Sequence, residues 1–138
     1  MASIVDPARP RAIHPFHAAM LAGSAPMFLG ALLADYAYST SYQIEWSNFA
    51  SWLLIGAMVL ATIALLCAVI DLFRGARGFA YILVLAATWA VGFFDALHHA
   101  RDAWAIMPTA LVLSVIVGVL ACVATWIGFS TLRAGGAR

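Results

Sequence analysis

Four long apolar stretches separated by short polar ones dominate the chain. They cover residues 15–34, 49–73, 79–97 and 108–132. Each holds about 19 to 25 residues, enough to cross a hydrocarbon core of roughly 30 Å at about 1.5 Å per helical residue. The pattern predicts an all-α integral membrane protein with four transmembrane helices. Its short connections pack sequential neighbours antiparallel, as an up-down-up-down bundle. Residues 1–13 then form an N-terminal segment, 14–132 the four-helix domain and 133–138 a C-terminal tail.

The charged positions orient these spans. Arg9 and Arg11 precede the first span, Arg74 and Arg77 separate the second from the third, and Arg133 and Arg138 follow the fourth. All six fall on one side, and only Arg101 falls on the other. The positive-inside rule therefore predicts a multi-pass protein with both termini in the cytoplasm. The opposite face receives the segment DYAYSTSYQIEWSN (35–48) as an outer loop, together with the HHARDAW turn. Tyr36, Tyr38, Tyr42, Trp46 and Trp104 form an aromatic belt suited to the headgroup region.

Small residues mark where helices touch. Ala57, Ala61, Ala64 and Ala68 recur at steps of four and three in the second span. Ala110, Ser114, Gly118, Ala121, Thr125 and Gly128 do so in the fourth. Because lipid gives helices no hydrophobic push towards one another, such stripes of small side chains serve as close-approach interfaces. In the first span Pro26 removes one backbone hydrogen bond, which predicts a kink near residues 22–26. The freed carbonyl then accepts from Ser24 or from a neighbouring helix.

Composition rules out the soluble classes. Of 138 residues, 65 % are hydrophobic and 9 % charged, and the mean hydropathy is +0.99. A soluble domain carries about 25 % charged residues. The polar N-terminal stretch leads into an apolar segment without a small-residue cleavage pattern, so the first span reads as retained. A net charge of +1 with no basic stripe gives no nucleic-acid character. Cys67 and Cys122 sit inside apolar spans, in no CxxC motif, and read as small core residues. All seven basic residues are Arg, a usage that points to a GC-rich bacterial genome. The sequence contains no nucleophile elbow, phosphate loop, dinucleotide fingerprint or HExxH.

Three polar constellations remain. At the cytoplasmic start of the first span, His14, His17 and Met20 recur at steps of three, with Pro15 fitting the first helical turn. That face suits copper, or a haem axial ligand at His17. It equally suits imidazoles that reach the interface and bond headgroups or loop carbonyls. At the outer end of the third span stands Asp95-x-x-His98-His99-x-x-Asp102. Asp95, His99 and Asp102 are candidate ligands for zinc or copper, and His98 and His99 candidate cofactor ligands or proton carriers. The alternative is a hydrogen-bonded helix cap in which the carboxylates orient the imidazoles and pair with Arg101. Adjacent histidines point about 100° apart on a helix, so the two cannot share one ion while the helix continues. The third constellation is the pair of span-end carboxylates. Asp71 faces Arg74 and Arg77 as partners, and Asp35 meets the Asp95/His98 group if the first and third helices approach. We read Asp35, Asp71 and Arg101 as structural polar groups.

At these residues the chain resembles a bacterial family of small four-helix inner-membrane proteins catalogued as domain of unknown function 2231. The similar positions are His14-Pro15-x-His17 with Met20 and Pro26, then Asp35, Trp52 with Gly56, and Asp71. They continue through His99-x-Arg101-Asp102, Pro108, Leu113-Ser114 and Gly128. The family often opens its third span with a histidine, where this chain reads Gly78-Phe79-Ala80-Tyr81. Relatives occur beside sugar-dehydrogenase and cytochrome modules, which implies a redox setting without assigning an activity. The expectation is a non-catalytic membrane subunit that anchors, assembles or stabilises a larger bioenergetic complex. The alternative is a haem b- or copper-binding electron-transfer protein that uses His14, His17, Met20, His98 and His99.

Overall fold

The computed structural model describes residues 12–75 and 78–135, with side chains described to residue 130. It contains four helices: α1 (Pro15–Ser41), α2 (Ile44–Phe73), α3 (Phe79–His99) and α4 (Thr109–Gly135). A short 3₁₀ turn at Ala103–Ala105 precedes α4, and the Met107–Pro108 peptide is cis. All four helices are long and apolar enough to cross a membrane. Helix α1 packs against α2 and α4, and α3 packs against the same two, so α1 and α3 face each other across a diagonal. The arginines Arg9, Arg11, Arg77 and Arg138, and the Arg133 side chain, lie outside the described residues, as do positions 1–11 of the N-terminal segment.

Every helix buries one narrow seam. In α1 it runs His17, Leu21, Ser24, Phe28, Ala31, Asp35, Tyr38. In α2 it runs Ser47, Ala50, Leu54, Ala57, Ala61, Ala64, Ala68. The α3 seam is Tyr81, Leu85, Thr88, Gly92, Asp95, His99. Buried positions of α4 include Ala110, Ser114, Val117, Ala121 and Ala124. The steps alternate between three and four, an average repeat of 3.5, which is the period of helices that wind around one another. The rest of each helix is largely apolar too but faces outward: Trp52, Phe73 and Trp126 are each at least 70 % exposed. A narrow interior seam with an apolar exterior is the pattern of a bundle solvated by lipid.

Large side chains from α1 and α3 fill the space that the small residues of α2 and α4 leave open. Leu21, Tyr81 and Leu85 pack with Ala64, Ala68 and Ala124 at one level. Phe28 packs with Leu54, Ala57, Ala61, Val117 and Ala121 at the next. Tyr38, Ile106 and Ala110 close the far end. The alanine stripe of α2 is therefore an interface, as the sequence predicts. In α4, Val117 and Ala124 also lie on the buried line, and Thr125 is half-buried.

Two local expectations change. The 35–48 segment is largely helical, because α1 continues to Ser41 and α2 starts at Ile44. The hydroxyls of Ser39, Thr40 and Ser41 donate to carbonyls three or four residues back, which carries the helix beyond its apolar stretch. It stops at Tyr42, whose φ of 53° is left-handed and whose N–H donates to the Tyr38 carbonyl. Helix α1 continues through Pro26, and the Ser24 hydroxyl donates to the Leu21 carbonyl at 2.9 Å, not to the carbonyl freed by the proline.

Candidate functional site

The buried histidines and aspartates gather at the two ends of the bundle. At one end the starts of α1 and α3 meet the end of α2. His17, fully buried, places Nε2 2.9 Å from the Tyr81 hydroxyl and Nδ1 3.3 Å from Asp71 Oδ2. A carboxylate only accepts, so Nδ1–H donates to Asp71 and Nε2 accepts from Tyr81. This orders one imidazole between two other helices. Cys67, Ile70 and Arg74 join His14, His17 and Asp71 around a cavity of about 240 Å³ beside it.

The neighbouring residues do not join His17. His14 is exposed and caps α1, its Nδ1 accepting from the Phe16 N–H at 3.3 Å. Met20 is half-buried and packs on the core layer containing Leu21. The sequence-predicted face of His14, His17 and Met20 therefore splits into a cap, a buried clamp and a packing residue. Arg74 is exposed at the end of α2.

At the other end, α1, α3 and α4 each supply part of a fully buried cluster. His99 Nε2 lies 2.8 Å from Asp35 Oδ1, and Nδ1 lies 3.0 Å from the Asp95 carbonyl oxygen. The Ser114 hydroxyl is hydrogen-bonded to Asp35 Oδ2 and lies 3.0 Å from Asp95 Oδ2. Asp35, Asp95 and Ser114 have no exposed surface. Asp95 Oδ1 is 3.1 Å from His99 Nδ1, yet it has no hydrogen-bond partner among the described residues. The distance alone suggests an ion pair, but the single Nδ1–H points at the backbone carbonyl.

These contacts are short of hydrogen. Four of them need one proton each: Nδ1 to the carbonyl, Nε2 to Asp35, and Ser114 to each carboxylate. A neutral imidazole and one hydroxyl supply two. The deficit is two positive charges, which also equals the charge of two carboxylates. The cluster is neutral, as burial at membrane depth demands, once two protons or one divalent cation complete it.

The remaining residues at this end of the bundle take other roles. His98 turns away from His99 and donates from Nε2 to the Ile106 carbonyl at 3.0 Å, tying α3 to the following loop. Asp102 is not part of the cluster. The helix ends at His99, so the helical spacing that relates Asp102 to the histidines lapses. Asp102 instead accepts from the Trp104 N–H at 3.2 Å as the cap of the 3₁₀ turn, and it is exposed. Arg101 is likewise exposed beyond the end of α3. Among the described residues the group of three that could hold an ion is thus Asp35, Asp95 and His99, with Asp35 where sequence spacing puts Asp102. Ser114 was legible only as a small residue in a packing stripe, because nothing local to α4 reveals which buried hydroxyl faces two acids. Above the cluster, Tyr38 donates to the Ala103 carbonyl at 3.0 Å, and Tyr42 stacks on Trp104.

No family model, curated protein or solved structure matches this chain.

Proposed function

We propose that this chain is a non-catalytic subunit of a larger redox complex in a bacterial inner membrane. In this reading the four spans run antiparallel and both termini are cytoplasmic. The two-residue link between α1 and α2 and the ring of neighbouring helices support that topology, and the arginine distribution supports the orientation.

The observation that carries the subunit role is a pair of apolar grooves on the lipid-facing surface. One, about 430 Å³, lies between α1 and α4 and is lined by Ala25, Cys122, Thr125, Trp126, Phe129 and Ser130. The other, about 450 Å³, lies between α2 and α3 and includes Met58, Thr62, Trp89 and Phe93. Within it Trp89 donates to Thr62 at 2.8 Å and stacks on Phe93, so the groove presents an apolar, hydrogen-bond-satisfied wall. Such walls suit the helix of a partner subunit, which packs by shape and not by polar bonding. The family resemblance supports the redox setting.

The haem alternative draws no support from the histidine positions. His14 and His98 serve caps and loop carbonyls, and His17 and His99 stand at opposite ends of α1 and α3.

Native electrophoresis of mildly solubilised membranes tests the reading. The expected result is migration in an assembly far above 14.7 kDa, together with redox subunits and without a Soret band belonging to this chain. A lone chain that carries its own Soret band overturns it.

A further inference from the structure

We infer that Asp35, Asp95, His99 and Ser114 form a binding site for one divalent first-row transition-metal ion, of the zinc or manganese class. The inference stands apart from the subunit role.

Four features of the cluster point to a cation. The ligand atoms of Asp35, Asp95 and His99 all lie within 4.8 Å of one another. A tetrahedral site with bonds of about 2.0–2.2 Å sets neighbouring ligand atoms roughly 3.3–3.6 Å apart, within that span. Two carboxylates and one imidazole are a borderline-hard donor set, suited to zinc or manganese and not to thiolate-seeking metals. Helices α1 and α3 hold these donors and α4 the Ser114 hydroxyl, so the set is fixed by packing and not by a mobile loop.

The orientation of His99 is that of a ligand. Its Nδ1–H donates to the Asp95 carbonyl at 3.0 Å, which fixes the ring and leaves the Nε2 lone pair facing the carboxylates. Metal-bound histidines are held in this way by a carbonyl or carboxylate behind them.

The orphaned oxygen separates a metal from protons. Two protons would complete the four hydrogen-bond contacts but leave Asp95 Oδ1, fully buried, without a partner. A divalent ion cancels the charge of both carboxylates and can draw on that oxygen as well. A cavity of about 130 Å³ lined by Ser51, Ile55, Ala96, His99 and Ala100 reaches the imidazole between α2 and α3 and offers a path for entry.

The test uses the full chain in detergent, stripped with a chelator and titrated with Zn²⁺ and then Mn²⁺. One ion per chain is expected, with a rise in the unfolding temperature. Asp95→Asn and His99→Gln should weaken binding at least tenfold, whereas His14→Ala and Asp71→Asn should bind as the parent does. If the substituted chains do not fold, X-ray absorption of the zinc-loaded parent decides: one imidazole with oxygen ligands is expected. No stoichiometric uptake of either ion, binding unchanged by Asp95→Asn, or a zinc shell containing sulfur overturns the inference. None of these results affects whether the chain migrates with partner subunits.

Discussion

His17 and Asp35 stand eighteen residues apart on α1, and each reaches across the bundle diagonal to α3. Their partners, Tyr81 and His99, are also eighteen residues apart. Eighteen residues make five full helical turns, so both members of each pair emerge from the same face, about 27 Å apart along the axis. The bundle is thus tied twice between the same two helices, once at each end.

This separation makes the two ties energetically independent. Tyr81→Phe removes the hydroxyl that serves His17 Nε2, and Ser114→Ala removes the one shared by Asp35 and Asp95. Each should destabilise the protein by about 1–3 kcal/mol, because a buried polar partner is left unmade. The double variant should show the sum within about 0.5 kcal/mol. Unfolding in mixed detergent micelles measures all three. A large coupling between the ends would show that they form one unit.

Asp95 and Asp102, seven residues apart in sequence, should differ sharply in their response to neutralisation. Asp95→Asn alters a group with no exposed surface that faces His99 and Ser114, so a loss of about 1–3 kcal/mol or more is expected. Asp102→Asn keeps a side-chain oxygen able to cap the exposed 3₁₀ turn, so its cost should stay below about 0.5 kcal/mol. The same unfolding assay compares them, and equal losses would contradict the placement of Asp102.

Glycines separate tight from forgiving helix contacts. A Cβ on Gly128 would lie 2.5 Å from Leu21 Cδ2 and 3.2 Å from the Tyr81 ring, which is itself held by His17. Gly128→Val should therefore cost about 1–3 kcal/mol through overpacking. At Gly56 the nearest atom is the terminal methyl of Met27, at 2.3 Å, on a side chain that can swing aside. Gly56→Ala also gains up to about 1 kcal/mol of helix propensity, so it should be close to neutral or stabilising. Melting temperatures of the two variants should move apart accordingly.

Topology is open to direct labelling. In a background with Cys67→Ala and Cys122→Ala, single cysteines at Arg74 and Trp104, both exposed, should react with a membrane-impermeant maleimide from opposite sides. Trp104→Cys should be labelled from outside intact cells and Arg74→Cys only after lysis. The reverse result would invert the proposed orientation.

Hydrophobic length and small-residue spacing made the four spans and the α2 interface readable in the sequence, since both are local properties. The polar extension of α1 through Ser39, Thr40 and Ser41 was not, because an exposed hydroxyl-rich turn has no apolar period to betray it. The cluster was half readable. Asp95 and His99 share a helix face at a four-residue step, and Asp35 was a conditional partner. Ser114 entered only through the fold, and Asp102 left it because α3 stops at His99. Spacing arguments hold within a helix and fail where the helix ends.

The diagonal ties also bear on how the protein meets its membrane. A pair of helices joined at one point can change tilt to suit a thicker or thinner bilayer, whereas a pair joined at both ends cannot shear freely. With ties about 27 Å apart, close to the roughly 30 Å hydrocarbon core, α1 and α3 form a strut of nearly fixed height. Mismatch then falls on the lipid, which must stretch or thin around the bundle, so membrane thickness itself becomes a selector of where this protein resides.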